Sequence, residues 1–329
     1  MDFQLSDDQR ALRSGMRDLL GAVFDRDRLR AAVERGGGVD RGLWRELGAA
    51  GFFALRLPEE AGGVGLGLPE AVLLFEEAGR ALLPGPLVAT HLAAGLVKGA
   101  AEGEAVVTVV EGGGLPVADL GGADAVLVAG GVLTGEELAA FVAGARPVRS
   151  MDPLTPLHSG EGLAAGVKGL VAAAEAYPGA QRGEGALLTA AEQLGSATRT
   201  TELAVQHARA REQFGSLIGS FQAVKHLCAD MLARTEPARS AVYAAAVTGD
   251  PVEIAAAKLL ADDAAVRNAR DCLQIHGGMG FTWEADVHLH LKRAWLRAAR
   301  WLTAAEAEEI LAAGLGPVRP LYGGSASLG

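Results

Sequence analysis

The sequence predicts a mainly α protein with a small β domain: an N-terminal helical domain, a reduced central β domain and a C-terminal four-helix bundle. Three observations carry this. Apolar residues recur at helical spacing near both ends of the 329-residue chain. Between those ends the pattern changes to short β-branched runs bounded by Gly and Asp. The last third holds several long helical stretches joined by modest loops, the layout of a bundle. The expected boundaries are 1–103 for the N-terminal helical domain, 104–182 for the reduced β domain and 183–315 for the bundle, with a loose tail over 316–329.

In the first zone, Ser6 and Gln9 have the spacing of a capping box, in which hydroxyl and amide serve free backbone N–H groups. Leu12, Met16, Leu19, Leu20 and Val23 follow at helical spacing. A second helix is expected from Pro69, at its first turn, to Leu83, with Pro84 as the stop. The intervening "LPEEAGGVGLGLPE" is a glycine-rich loop, which permits tight turns and by itself says nothing of phosphate. In the middle zone, "AVVTVV" and "AVLVAGGVL" read as strands. In the last zone one helix is expected from Leu187 to Arg211. Ser220 is placed as N-cap of the next, "FQAVKHLCADMLART". Asp250, Pro251 and Glu253 read as N-cap, N1 and N3 of a third, which ends near "QIHGGMGF" with Gly277 as a left-handed cap.

Composition bounds the function. Half the residues are apolar and the net charge is −10, which suits a globular protein and excludes an electrostatic nucleic-acid footprint. A local basic site for an anionic cofactor is compatible with that charge. Cys228 and Cys272 give neither a disulfide framework nor zinc spacing. The N-terminus has early acids and no apolar signal core, and no apolar run approaches the ~20 residues of a membrane span. A cytoplasmic protein without membrane insertion is expected.

One span could hold an anion. A helix start presents N–H groups with no intrahelical partner. Gln222 lies in such a first turn, Arg211 stands just before the break, and Phe214 offers a ring face. Gln274 lies at a helix end followed by Gly277 and Gly278, which let a ligand approach the backbone. This pattern fits the ADP half of a dinucleotide, and it equally fits helix caps beside an exposed arginine. His276 reads as a packed histidine. His288 and His290, two apart on a helix, point to different sides, which disfavours chelation. No Ser/His/Asp or Cys/His arrangement is legible.

At these residues the chain resembles the acyl-CoA dehydrogenase family. "REQFGSLIGSFQAVKHLCADM" and "QIHGGMGFTWEADVHLHLKRA" are similar to its two signature segments. "MDFQLSDDQRALRSGMRDLL" and "LPEEAGGVGLGLPEAVLLFEEAGRALLPGPL" are similar to its N-terminal helical pattern. The resemblance implies FAD as cofactor and oxidation of an acyl-CoA thioester to the 2,3-enoyl-CoA, with a Glu as the base. It implies cofactor-binding roles for Arg211, Phe214, Gln222, Gln274, Gly277 and Gly278, toward the ADP part of an FAD whose ring lies in a neighbouring subunit. It also implies an electron-transfer flavoprotein as acceptor.

The sequence departs from the family at two points. Its central domain is short and lacks the family's Thr-Glu-Pro-Gly-like loop. The family's catalytic Glu falls on Gly185 in one position and on Trp301 in the other, and neither accepts a proton. Glu184, one residue off, and Glu192, further along the same helix, are weak substitutes. What remains serves a neighbour's cofactor. This resembles the short subunits of α2β2 members in bacterial steroid side-chain breakdown, where a longer acyl-CoA dehydrogenase subunit supplies the base and flavin-ring pocket. The chain is therefore expected to have no catalytic residue of its own and to act in a heterotetramer. A self-sufficient homo-oligomer with a displaced base, or a non-catalytic scaffold, remain the alternatives.

Overall fold

The Ser6 hydroxyl accepts a hydrogen bond from the Gln9 backbone N–H at 3.1 Å, and Gln9 Oε1 accepts one from the Ser6 N–H at 3.0 Å. The predicted capping box thus opens α1 (Asp7–Val23). The computed structural model describes residues 4–111, 115–128, 131–159 and 179–315. The expected tail over 316–329 and the later part of the central zone lie outside the described residues.

Helices α2 (Arg26–Glu34), α3 (Arg41–Ala49), α4 (Leu68–Arg80) and α5 (Leu87–Ala93) complete the N-terminal part. Helix α4 has Pro69 in its first turn, as expected, but ends at Arg80 rather than Leu83. Leu82 adopts φ 57° there, so the chain leaves the helix before Pro84 can stop it.

Among the described residues, the central part holds six short strands. β1 (Val107–Val109) pairs in parallel with β3 (Ala125–Val128), which pairs antiparallel with β4 (Gly131–Leu133). β2 (Val117–Ala118), β6 (Leu157–Ser159) and β5 (Arg146–Val148) form a second sheet in the order β2-β6-β5, antiparallel throughout. The single run read in "AVLVAGGVL" is two strands, β3 and β4. A helix not expected from the sequence, α6 (Gly135–Ala143), follows them and buries Leu138 and Phe141.

The C-terminal part is built from α7 (Gly179–Ala210), α8 (Gln222–Thr248), α9 (Pro251–His276), α10 (Val287–Ala298) and α11 (Ala304–Gly314). Helix α7 starts well before the expected Leu187. Helix α9 starts as expected: the Asp250 carboxylate accepts from the Val252 and Glu253 N–H groups at 2.8 and 3.0 Å. Helix α8 is joined to α7 by a hairpin of β7 (Glu212–Gln213) and β8 (Ser216–Leu217).

Helices α4 and α7 cross at backbone contact. A Cβ on Gly79 would lie 2.0 Å from the Glu192 carbonyl oxygen, and one on Gly195 would lie 1.9 Å from that of Glu76. Only glycine fits at either point, and the crossing welds the N-terminal helices to the bundle. Two buried carboxylates secure it. Glu77 accepts a fork from Arg17 of α1 at 2.6 and 2.8 Å. Glu76 accepts from the Tyr243 hydroxyl of α8 at 2.6 Å and from Arg239. One apolar core runs through both helical parts, and a smaller one closes the far end of the bundle.

Candidate functional site

The smaller core gathers Ala204 and Ala208 of α7, Ile218 after the hairpin, Met231 of α8, Cys272 and Ile275 of α9, and Leu291 of α10. It draws together the chain segments that carry the expected cofactor residues. The His207 and His276 rings stack across it, with centroids 4.1 Å apart at 19°. His276 Nδ1 also donates to the Cys272 carbonyl at 2.8 Å, so this histidine is packed, as expected. Arg211 follows α7, and its carbonyl accepts from the Ile218 N–H at 2.8 Å, which pins the hairpin to the helix end.

On the outer side of this core the surface is open. Phe214 sits at the hairpin tip with φ 54° and is 94% exposed. A left-handed φ costs a non-glycine residue roughly 1–2 kcal/mol, and an exposed ring recovers nothing from packing. Its nearest ring is Phe221, edge-on at 6.3 Å. Gln222 is the first residue of α8 and is exposed. Gln274 is exposed on the last turn of α9, followed by Gly277 and Gly278, where an added Cβ would meet nothing within 4 Å.

Two local expectations are corrected. Ser220 is not the N-cap of α8. Phe221 is, with no side-chain cap, while the Ser220 hydroxyl donates to the Leu217 carbonyl at 2.7 Å. Ser220 ends a 3₁₀ turn over Ile218–Ser220, which delays the helix and leaves its first N–H groups without a side-chain acceptor. Gly277 has φ 60° but ψ −142°, so it turns the chain sharply without forming a left-handed helical cap.

Arg209, Arg211, Lys225 and His226 are all exposed around this opening. Among the described residues none of the four makes an ion pair or a side-chain hydrogen bond. The unpaired Arg209, Arg211 and Lys225 beside an uncapped helix start, on a protein of net charge −10, fit a diphosphate. The exposed Phe214 ring and the open glycine pair leave room for the rest of a nucleotide. The donor set therefore fits the ADP half of FAD.

The positions expected for a catalytic base show the opposite. Gly185 and Trp301 lie far apart in sequence but touch in space. A Cβ on Gly185 would sit 2.3 Å from Trp301 Cδ2 and Cε3. The indole is 5% exposed and lies where a carboxylate on Gly185 would have to project. Its backbone is fixed on both sides: the N–H donates to Glu111, and the carbonyl accepts from Arg182 Nε at 2.7 Å. Glu184 turns away and takes a fork from Arg56 at 2.7 and 3.1 Å. Glu192 is 6% exposed and accepts from Arg297 Nη2 at 2.8 Å. Both weak candidates are committed to arginines.

Next to Trp301 lies a polar cluster that the sequence did not reveal. Arg293 pairs with Asp152, Arg297 with Glu192, and Arg300 with Glu111. Asp119, after β2, is buried with φ 55°. Burial pushes its carboxyl up to about 7, against the pull of Arg293 and Arg300. These partners are separated by long stretches of chain, so no local spacing signals them. His288 and His290 hold no metal-like arrangement: the Trp283 ring stacks on His288 and the Ser196 hydroxyl meets His290 Nδ1 at 2.8 Å.

Comparison with known proteins follows the same division. A sequence profile described as "Acyl-CoA dehydrogenase, N-terminal domain" matches residues 6–102, and one described as "Acyl-CoA dehydrogenase, C-terminal domain" matches residues 180–310. The chain is 36% identical over 314 residues to "Acyl-CoA dehydrogenase IpdE2" of Mycobacterium tuberculosis, covering 88% of this chain and 91% of that one. It is 36% identical over 321 residues to "Acyl-CoA dehydrogenase FadE34" of the same organism, covering 85% of this chain but 45% of that one. The ChsE4-ChsE5 complex from Mycobacterium tuberculosis shares the fold with a TM-score of 0.79 at 23% identity, covering 97% of this chain and 100% of the matched chain.

Proposed function

Since the chain belongs to the acyl-CoA dehydrogenase family, whose members are FAD-binding flavoproteins, we propose that it is the non-catalytic half of a paired dehydrogenase. In this reading it grips the ADP part of an FAD whose ring lies in a longer partner subunit, in an α2β2 assembly. The partner supplies the base and the pocket for the acyl-CoA thioester. FAD, when bound, supplies the two-electron acceptor for oxidation to the 2,3-enoyl-CoA, and an electron-transfer flavoprotein takes the electrons onward.

The observation that carries this reading is the contact between Gly185 and Trp301. At Gly185, where the sequence count puts the family's base, the space a side chain would need is taken by the buried indole of Trp301. A base cannot act from there, and the adjacent carboxylates Glu184 and Glu192 are held by Arg56 and Arg297. At the other end of the bundle the residues toward a neighbour's nucleotide stand open. Arg211 offers a fork to a diphosphate, the start of α8 offers backbone N–H groups, and Phe214 offers a ring face. The FadE34 alignment adds support: that relative is long enough to hold a second unit of this size. A fold neighbour solved as a complex of two differently named chains points the same way.

The test is purification of the chain alone and with a co-expressed longer dehydrogenase, followed by visible absorbance. Flavin is expected in the complex and not in the lone chain. Full flavin loading and turnover by the lone chain would overturn the proposal. In the complex, Arg211→Ala is expected to lower FAD retention. Glu184→Gln is expected to leave turnover unchanged, whereas a self-sufficient enzyme using Glu184 as its base would lose it.

A further inference from the structure

Asp119, Arg293 and Arg297 line one small cavity, and each carries a buried polar atom with no hydrogen-bond partner among the described residues: Asp119 Oδ1, Arg293 Nη2 and Arg297 Nη1. Each side chain is at most 4% exposed. An unsatisfied buried donor or acceptor costs roughly 1–3 kcal/mol, and three around one void mark a place built to hold something. The cavity measures about 50 Å³, room for roughly three or four water-sized atoms. Thr155, Thr189, Glu192 and Trp301 complete much of its wall. A flavin or a CoA ester is far too large for it.

Charge selects the occupant. Arg293, Arg297 and Arg300 are each paired, with Asp152, Glu192 and Glu111 respectively. Asp119 is the fourth acid and, among the described residues, has no cation within ion-pair distance. Burial favours its neutral form, opposed by Arg293 and Arg300 and assisted by Asp152. His158 of β6 packs beside Gly121, in the turn after Asp119, and burial lowers its pKa from the usual value. Lys292 of α10 is turned onto the Trp283 ring at 4.8 Å. With Asp119 protonated, the cavity presents two guanidinium N–H donors and one carboxyl O–H donor. Three convergent donors call for an acceptor with several lone pairs.

We propose that this cavity binds a small monovalent oxyanion of the formate or bicarbonate class, held by the free N–H groups of Arg293 and Arg297 and by the Asp119 carboxyl group as donor. Such ions have three or four heavy atoms, which matches the volume. Binding takes up the proton that Asp119 carries, so the cluster has the same net charge with the anion as with ionised Asp119 and water. The site ties α10 and α7 of the bundle to the β domain through Asp119.

The experiment is calorimetric titration of the full chain, in its native assembly, with sodium formate at pH 6 and pH 8 in buffers of different ionisation enthalpy. Saturable binding at pH 6 is expected with little proton uptake, weakening about tenfold by pH 8, where binding takes up nearly one proton, for a group titrating near 7. Asp119→Asn keeps a donor without a titration and is expected to bind formate equally at both pH values. Absence of saturable binding at pH 6, or an unchanged pH slope in Asp119→Asn, would overturn the proposal. Should the variant fail to fold, proton uptake by the unmodified protein at pH 8 decides: binding there with no uptake sinks the role given to Asp119. A crystal structure grown in formate that shows only water in the cavity has the same force.

Discussion

Gly185 and Phe214 are the two residues at which the sequence and the structure speak most directly to each other. Restoring a carboxylate by Gly185→Glu forces a side chain into the Trp301 ring, since even a Cβ would stand 2.3 Å from it. Overpacking and burial of an unpaired charge are expected to cost about 2–4 kcal/mol, read as a lower urea midpoint, with no enoyl-CoA formed by the lone chain. Phe214→Gly has two effects of opposite sign. It relieves the left-handed strain and is expected to stabilise the chain by up to about 1 kcal/mol, read by thermal melting. In the proposed paired assembly it is expected to speed FAD loss, read by flavin fluorescence. That a motif count lands on Gly185 was legible in the sequence. The contact of Gly185 with the Trp301 indole was not, because contact between distant segments leaves no trace in spacing.

At the level of elements, the two helix starts of the bundle differ more than their sequences suggest. Asp250→Ala removes a carboxylate that accepts two backbone N–H bonds and is expected to cost about 1 kcal/mol. Ser220→Ala removes only a hydroxyl that donates to the Leu217 carbonyl, and is expected to cost less than half as much in the same urea titration. The Asp250 cap was legible because Pro251 and Glu253 confirm it from inside the helix. Ser220 had no such second signal, and a 3₁₀ turn moved the start by one residue. Strands β3 and β4 were read as one run because both are apolar and only two residues separate them in the sequence. Helix α6 went unread because the β-branched runs before it set the expected pattern for its zone. Long helices with apolar periodicity survived every such local ambiguity, and so the fold class was legible where individual ends were not.

For the whole molecule, buried ionisable groups set the response to acid. Burial lowers His91 to about 4 and His290 to about 3. Their folded values lie below the unfolded value near 6.5, so the stability tied to their neutral forms is present above 6.5 and lost as the pH falls toward 4 and then 3. Asp119 works against them, since its folded value of about 7 exceeds the unfolded value of about 3.8: its neutral form adds stability at low pH that is lost as pH rises through 7. Between pH 6 and 4.5 two protons favour unfolding and one opposes it. The expected net loss is of the order of 1 kcal/mol per pH unit, and Asp119→Asn is expected to steepen it, as read from urea midpoints across that range. None of this was legible in the sequence, because the charged partners meet only when the β domain closes on the bundle. Over generations, the interlock of Gly185 and Trp301 acts as a ratchet. A lineage that regained the acid at either site alone would clash with the ring or lose a filled interior, so both codons would have to change together. Under the proposed pairing, dependence on another gene would be held in place by the width of a single aromatic plate.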